Sequence, residues 1–105
     1  MGRSEEALVV YHHVIARYAD APEPALRELV ARALFNKGTT LTQLGRWEEA
    51  LAVFDDVIAR YADAPEPVVR EQVAHARVNR GVTLRRLGRW RARWRRRAGG
   101  GARCL

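Results

Sequence analysis

Residues 5–47 read EEALVVYHHVIARYADAPEPALRELVARALFNKGTTLTQLGRW, and residues 48–90 repeat the stretch as EEALAVFDDVIARYADAPEPVVREQVAHARVNRGVTLRRLGRW. The two copies are identical at 29 of 43 positions, without a gap. A fixed period of this length is typical of repeat architectures, in which each unit buries its apolar face against a neighbour. The sequence therefore predicts two near-equivalent units that lie side by side.

Each copy contains two helix-forming stretches separated by turn residues. In residues 47–62 the large apolar side chains fall on one helical stripe: Leu51, Phe54, Val57, Ile58 and Tyr61. The segment 63–67, DAPEP, then ends the helix, because proline lacks an amide donor and disfavours helical angles before it. Gly45 supplies a turn, and Gly38 lies inside a helix, where we expect it to permit close packing.

This pattern predicts helices over residues 4–19, 24–44, 47–62 and 67–87. No segment alternates polar and apolar residues with period two, so we expect an all-α fold of antiparallel helices without strands. The helices over 24–44 and 67–87 are called helix A of their units. The helices over 4–19 and 47–62, each preceded by a glycine, are called helix B.

The charge is divided unevenly along the chain. The net charge is +7, but residues 1–84 carry 10 basic and 12 acidic residues, whereas residues 85–105 carry nine arginines and no acidic residue. The basic character therefore belongs to the C-terminal end. We divide the chain into a repeat domain, residues 1–90, and an Arg-rich degenerate tail, residues 91–105.

The sequence contains no recognisable motif for catalysis or metal binding. It has no Ser/His/Asp arrangement, phosphate loop or zinc-ligand spacing, so we predict neither an enzyme nor a cofactor or metal site. The single cysteine, Cys104, excludes an internal disulfide. No apolar run approaches the roughly 18 residues of a membrane span. Because Glu5 and Glu6 also do not suit a signal peptide, we expect a cytoplasmic protein.

Residues 33–62 resemble the tetratricopeptide repeat. The resemblance is carried by glycine in helix A, glycine at the turn and an aromatic after it, then alanine and an aromatic in helix B: Gly38, Gly45, Trp47, Ala50 and Phe54. It extends over residues 2–90 and looks like the bacterial long-repeat variants, with a period of 43 in place of about 34. It implies repeats stacked as a short right-handed α-solenoid, acting as a non-catalytic scaffold for a peptide or protein.

The chain departs from the family pattern in three ways. Helix A is longer at its start, and Ala62 replaces the family's proline near the end of helix B. In the second unit Arg77 stands where the first has Leu34. We expect these departures to affect superhelical geometry more than fold class.

The resemblance also implies a partner-binding groove lined by helix A. The residues at the groove positions are Arg32, Phe35, Asn36, Thr39, Thr42 and Gln43 in the first unit, and His75, Val78, Asn79, Val82, Arg85 and Arg86 in the second. Five of these six paired positions differ between the copies. Such variation fits position-specific contacts, but exposed faces also vary freely, so both interpretations stay open.

The arginine-rich tail supports competing hypotheses. Clustered arginines with Trp94 could bind nucleic acid or an anionic membrane surface. Alternatively, the tail is an indifferent solvated segment, or a frameshift or truncation product that replaces a third copy of EEALAVFDDV. We favour the last hypothesis, in which the chain is a fragment of a longer repeat array.

Few repeats leave apolar faces uncovered at both ends of the stack. At least about three are usually needed for stability. We therefore expect a homo-oligomer that forms through the exposed terminal repeat faces. We also expect Trp47 and Trp90 to occupy equivalent packing positions, each at the start of a helix B.

Overall fold

The computed structural model describes residues 3–103, with side chains described from Arg3 to Arg97. It contains four α-helices: α1 (Arg3–Tyr18), α2 (Pro24–Gln43), α3 (Trp47–Tyr61) and α4 (Pro67–Arg103). No strand occurs in this part of the chain, and consecutive helices pack antiparallel as neighbours. The prediction of an all-α fold without strands is confirmed. Cys104 lies outside the described residues.

Local sequence explains where the helices begin and end. Proline occupies the first position of α2 and of α4, where its missing amide hydrogen costs no helical hydrogen bond. Gly45 has φ 77°, and its N–H donates to Thr42 O while Arg46 N–H donates to Leu41 O. These two bonds form a Schellman motif, which ends α2 and reverses the chain into α3.

The core lies where α3 packs between α2 and α4. Its fully buried members include Val30 and Ala31 on α2, Phe54 and Val57 on α3, and Val69 on α4. A Cβ placed on Gly38 would lie 2.8 Å from both Cδ1 and Cζ of Phe54, and closer still to Cε1. The expectation that Gly38 permits close helix packing is confirmed, since the Phe54 ring occupies the space that any side chain would need.

The end of the fourth helix differs from the sequence expectation. The predicted ranges 4–19, 24–44 and 47–62 differ from α1, α2 and α3 by no more than one residue at either end. The predicted end at residue 87 is wrong, because α4 continues through Gly88 to Arg103. Arginine and alanine after Trp90 favour helix, and no apolar stripe follows that could fold back onto α4.

The two tryptophans consequently have different surroundings. Trp47 is half-buried at the start of α3, whereas Trp90 lies inside α4 with 48% of its surface exposed. The expectation of equivalent helix-start positions is therefore wrong for Trp90. The two rings contact each other edge to face, with centroids 6.3 Å apart. Arg91, in the first turn of the α4 continuation, also forms an exposed ion pair with Glu48 at the start of α3.

Candidate functional site

The two A helices, α2 and α4, lie side by side, and the surface between them is where the resemblance implies a groove. Two contacts join them along their length. The rings of Phe35 and His75 lie 5.6 Å apart, and the hydroxyl oxygens of Thr42 and Thr83 lie 3.3 Å apart. Thr42 also donates a hydrogen bond to the Gly38 carbonyl oxygen at 3.0 Å, which fixes its hydroxyl against α2.

A cavity of about 250 Å³ opens between these helices. Six of the twelve predicted groove residues line it: Thr39, Thr42, Gln43, Asn79, Val82 and Arg86. The seventh lining residue, Thr83, was not predicted, because it is not at one of the groove positions that the resemblance implies. The structure thus brings half of the predicted set together around one concave site.

The other six predicted residues lie outside the cavity. Arg32, Asn36 and Arg85 are exposed on the helix surfaces. Val78 is also exposed, whereas Phe35 is half-buried and stacks against both Phe54 and the exposed His75. The structure therefore does not bring these six residues to the cavity.

The cavity is lined by hydrogen-bonding groups together with apolar surface. Oγ1 of Thr39 is buried and has no hydrogen-bond partner among the described residues. Of the other lining residues, Gln43 and Arg86 are exposed, and Asn79 is half-buried about two helical turns before Arg86. Amide and guanidinium groups suit carbonyl and carboxylate oxygens, which a peptide presents along its length.

Comparison with known families identifies one repeat within this arrangement. Residues 32–64 match the family described as Tetratricopeptide repeat. This segment is a tetratricopeptide repeat. It comprises most of α2, the Gly45 turn and α3. No curated protein and no solved structure matches the chain. A tetratricopeptide repeat suggests protein–protein interaction in general and is usually non-catalytic.

An ion pair just outside this segment connects the starts of the two A helices. Arg27 Nε of α2 donates to Glu66 Oε2, 2.7 Å away, immediately before α4. The guanidinium also lies over the Tyr61 ring, 5.3 Å from its centroid. The hydrogen bond from Arg27 lowers the pKa of Glu66 and raises the pKa of Arg27. This contact connects the two A helices at the end farthest from the cavity.

A larger cavity lies on the other side of α2 and was missed from the sequence. It measures about 670 Å³ and lies between α1 and α3, with α2 as its floor. Leu8, Val9 and Val53 supply apolar lining, and His12 and Lys37 lie at its margin. One feature of the sequence could have indicated this cavity. Val9 is apolar, but it lies on α1 outside the apolar stripe that packs on the tetratricopeptide repeat.

Two kinds of feature are absent from the described residues. No group of three or more His, Cys, Asp or Glu side chains within this part of the chain could hold a metal ion. None of the helices over residues 3–103 is both long and apolar enough to span a membrane.

Proposed function

We propose that the chain is a protein–protein interaction scaffold that binds a peptide or protein segment in the groove between α2 and α4. The tetratricopeptide repeat at 32–64 supports the general class of function. The observation that carries the groove assignment is the convergence of Thr39, Thr42 and Gln43 with Asn79 and Arg86 on one cavity. These residues come from both A helices, so the site depends on how the two copies pack.

The groove suits an extended segment that presents carbonyl or carboxylate oxygens. The unpartnered Thr39 hydroxyl, the Asn79 amide and the Arg86 guanidinium can all donate hydrogen bonds. A cavity of about 250 Å³ is small for a large ligand but fits one or two side chains of a peptide that continues along the helices. Arg86 would favour an acidic residue at its end of the groove.

Selection from a random peptide library against the full chain tests this proposal. Binding of the best peptide would then be measured by fluorescence polarisation on Asn79→Ala and Arg86→Ala. We expect each variant to weaken binding by about tenfold or more, because a hydrogen bond to a bound peptide is lost from a concave site. Arg60→Ala, an exposed arginine of α3, serves as the control and should bind like wild type.

Peptides that bind both groove variants as tightly as wild type would contradict the groove assignment. Such peptides would leave only the general function that the tetratricopeptide repeat implies. The binding partner would then contact another surface, such as the cavity between α1 and α3.

A second candidate function is binding of a polyanion through the arginine-rich end of α4. Trp90 and Trp94 lie one helical turn apart, with 48% and 57% of their surfaces exposed. Arg91 and Arg95 flank them at the same spacing. Exposed tryptophans can stack on bases or insert at a bilayer interface, while arginines neutralise phosphates.

Deletion of residues 91–105 separates the two candidates. If the groove is the functional site, the shortened chain should keep its affinity for the selected peptide. If the tail is functional, the full chain should bind single-stranded nucleic acid or anionic vesicles in a salt-sensitive manner, and the deletion should abolish that binding. If the full chain and the shortened chain bound nucleic acid and vesicles equally weakly, polyanion binding through the tail would be excluded.

Several finer expectations remain predictions. They are a right-handed solenoid of long-repeat type, origin from a longer array, and a bacterial, cytoplasmic setting. The spacing of 43 residues between the copies supports the first of these.

A further inference from the structure

Equivalent residues of the two A helices differ sharply in burial along one face. On α2 the residues Ala31, Leu34, Gly38 and Leu41 are all buried. Their equivalents on α4, 43 positions later, are Ala74, Arg77, Gly81 and Leu84, and all four are exposed. Leu41 is 3% exposed, whereas Leu84 is 44% exposed. We call these four α4 residues the outer face of α4.

Helix α3 covers this face on α2, and α1 carries nearly the same sequence as α3. The segments 5–18 and 48–61 are identical at 10 of 14 positions. Ala50, Phe54 and Val57 of α3 are fully buried. Their equivalents Ala7, Tyr11 and Val14 are only half-buried, and α1 contains no buried residue. We call these three residues the outer stripe of α1.

A single pair of positions defines how the two surfaces could meet. Gly38 accommodates the Phe54 ring, which lies so close that no side chain fits between them. The equivalent of Gly38 is Gly81, and a Cβ placed there meets no atom of the described residues within 4 Å. The equivalent of Phe54 is Tyr11, another aromatic residue. Each copy of the chain thus has free space beside Gly81 on α4. On α1 it has the Tyr11 ring, which is of a size to fill such a space.

We propose that a second copy of this chain docks its α1 on the outer face of α4, in the register that α3 takes on α2. Tyr11 of the second copy then packs on Gly81, as Phe54 packs on Gly38. The surfaces that meet are different on the two copies, so the contact is heterologous and can repeat head to tail. Both apolar faces become covered, which removes area from water at each new contact.

Charge complementarity supports a second copy as the occupant. The first turn of α1 carries Glu5 and Glu6, and the equivalent acidic residues of α3 are Glu48 and Glu49. In the chain, Glu48 pairs with Arg91 of α4. In the docked pair, the acidic start of α1 would face the arginine-rich stretch that follows Leu87 on α4, with opposite charges adjacent.

Arg77 is the member of the outer face that differs most from its equivalent, Leu34. Its long aliphatic stem can cover apolar surface while the guanidinium extends to solvent or over the Tyr11 ring. The substitution weakens the contact relative to the packing of α3 on α2 without blocking it. We therefore expect an association that depends on concentration rather than a permanent dimer.

Docking in this register would also lengthen the binding groove. The α2 of the second copy would lie beside α4, as α4 lies beside α2 within one chain. This consequence rests on the proposed function, whereas the docking itself does not. A chain that binds its peptide as a monomer keeps the proposed function and contradicts only the docking.

Analytical ultracentrifugation of the full chain under reducing conditions tests the docking. Reductant excludes dimers that form through Cys104. The mass should rise with concentration above the 11.9 kDa of one chain, without stopping at a dimer. Gly81→Ala is the decisive variant, because its Cβ points into open space in the monomer but into the Tyr11 ring in the docked pair. It should weaken association at least about fivefold.

Asn79→Ala is the matched control on α4. Asn79 lies two residues before Gly81 but on the side that lines the groove. This variant should associate like wild type while losing peptide affinity, and Gly81→Ala should show the reverse pattern. The two changes therefore separate failure of the docking from failure of the groove.

A mixing experiment identifies the heterologous contact. Tyr11→Ala keeps an intact outer face on α4, and Gly81→Ala keeps an intact α1. Each variant alone should stay largely monomeric, but a mixture should form a 1:1 complex of twice the chain mass that does not grow further. Val9→Ala, an exposed change on the same helix as Tyr11, should still associate alone.

Three results would overturn the proposal. They are a monomer at all concentrations, association of Gly81→Ala with wild-type affinity, and a mixture that stays monomeric although both variants are folded by circular dichroism. If Tyr11→Ala does not fold, the comparison of Gly81→Ala with Asn79→Ala decides alone.

Discussion

Helices α2 and α4 are equivalent elements of the two copies, but their environments differ. Residues 24–43 and 67–86 are identical at 10 of 20 positions. The face of α2 that contains Gly38 is covered by α3, whereas the same face of α4, around Gly81, is open among the described residues. Both stretches form helix, because each has proline at its start and helix-favouring residues along its length. Local sequence therefore specifies the helix, and the neighbouring helix supplies the burial.

The sequence LGRW occurs at 44–47 and at 87–90 with two different backbone conformations. In the first copy Gly45 takes φ 77° and the chain turns into α3. In the second, Gly88 continues the helix. The residues that follow explain the difference. Residues 48–61 carry an apolar stripe that packs on α2, whereas residues 91–97 carry mostly arginine. A turn forms where folding back brings apolar burial.

Among the substitutions that compare the two copies, Phe54→Ala should change the free energy of unfolding most. We expect a loss of about 3–5 kcal/mol in the free energy of unfolding, because the fully buried ring fills the contact between α2 and α3. Urea denaturation followed by circular dichroism would measure it. The equivalent change Tyr11→Ala should cost clearly less, since Tyr11 is only half-buried. Equal losses at the two positions would contradict the difference between the copies.

Alanine at Gly38 and at Gly81 should act in opposite directions. Gly38→Ala should destabilise the chain by about 1–3 kcal/mol, because the new Cβ overlaps the Phe54 ring. Gly81→Ala should stabilise the monomer by roughly 0.5–1 kcal/mol, since glycine inside an exposed helix costs conformational entropy. Thermal melts at low protein concentration would measure both. If both substitutions stabilised the chain, or both destabilised it, the two glycines would have similar surroundings.

The two LGRW sequences predict a smaller contrast of the same kind. Gly45→Ala should cost about 1–2 kcal/mol, because a side chain at positive φ is strained even though no atom lies near its Cβ. Gly88→Ala should leave stability unchanged or raise it by roughly 0.5–1 kcal/mol. Chemical denaturation compares them directly. Equal destabilisation would indicate that Gly88 also forms a turn in solution.

The sequence predicted the helices well and the end of the last helix badly. Proline, glycine and the apolar stripe through Phe54 are local signals, and α1, α2 and α3 follow them. Whether the last helix ends at Leu87 depends on the segment that follows it. The same four residues, LGRW, turn at Gly45 because an apolar stripe follows that packs on α2. No pattern within LGRW could distinguish the two conformations.

The candidate site was predicted as a surface but not as a cavity. The resemblance placed Thr39 and Asn79 among the groove residues, and the structure brings both to one cavity. A family pattern does not specify which residues of two helices meet in this chain. It therefore did not separate Arg32 and Arg85, which lie outside the cavity, from Arg86, which lines it. Thr83 was missed because it is not at one of the groove positions that the resemblance implies.

The smallest contrast concerns Glu66 and its equivalent Glu23, and it depends on pH. The hydrogen bond from Arg27 holds the pKa of Glu66 below its ordinary value of 4.5. Glu23 is exposed and has no ion pair among the described residues. Glu66→Gln should therefore lower the melting temperature at neutral pH, whereas Glu23→Gln should change it little. The pKa of Glu66 is lower in the folded chain than in the unfolded chain. Its contribution to stability is therefore complete above about pH 4.5 and is lost as the pH falls through the pKa of the folded chain. The melting temperatures of wild type and Glu66→Gln should converge there, and a difference that persisted in acid would assign the effect to packing rather than charge.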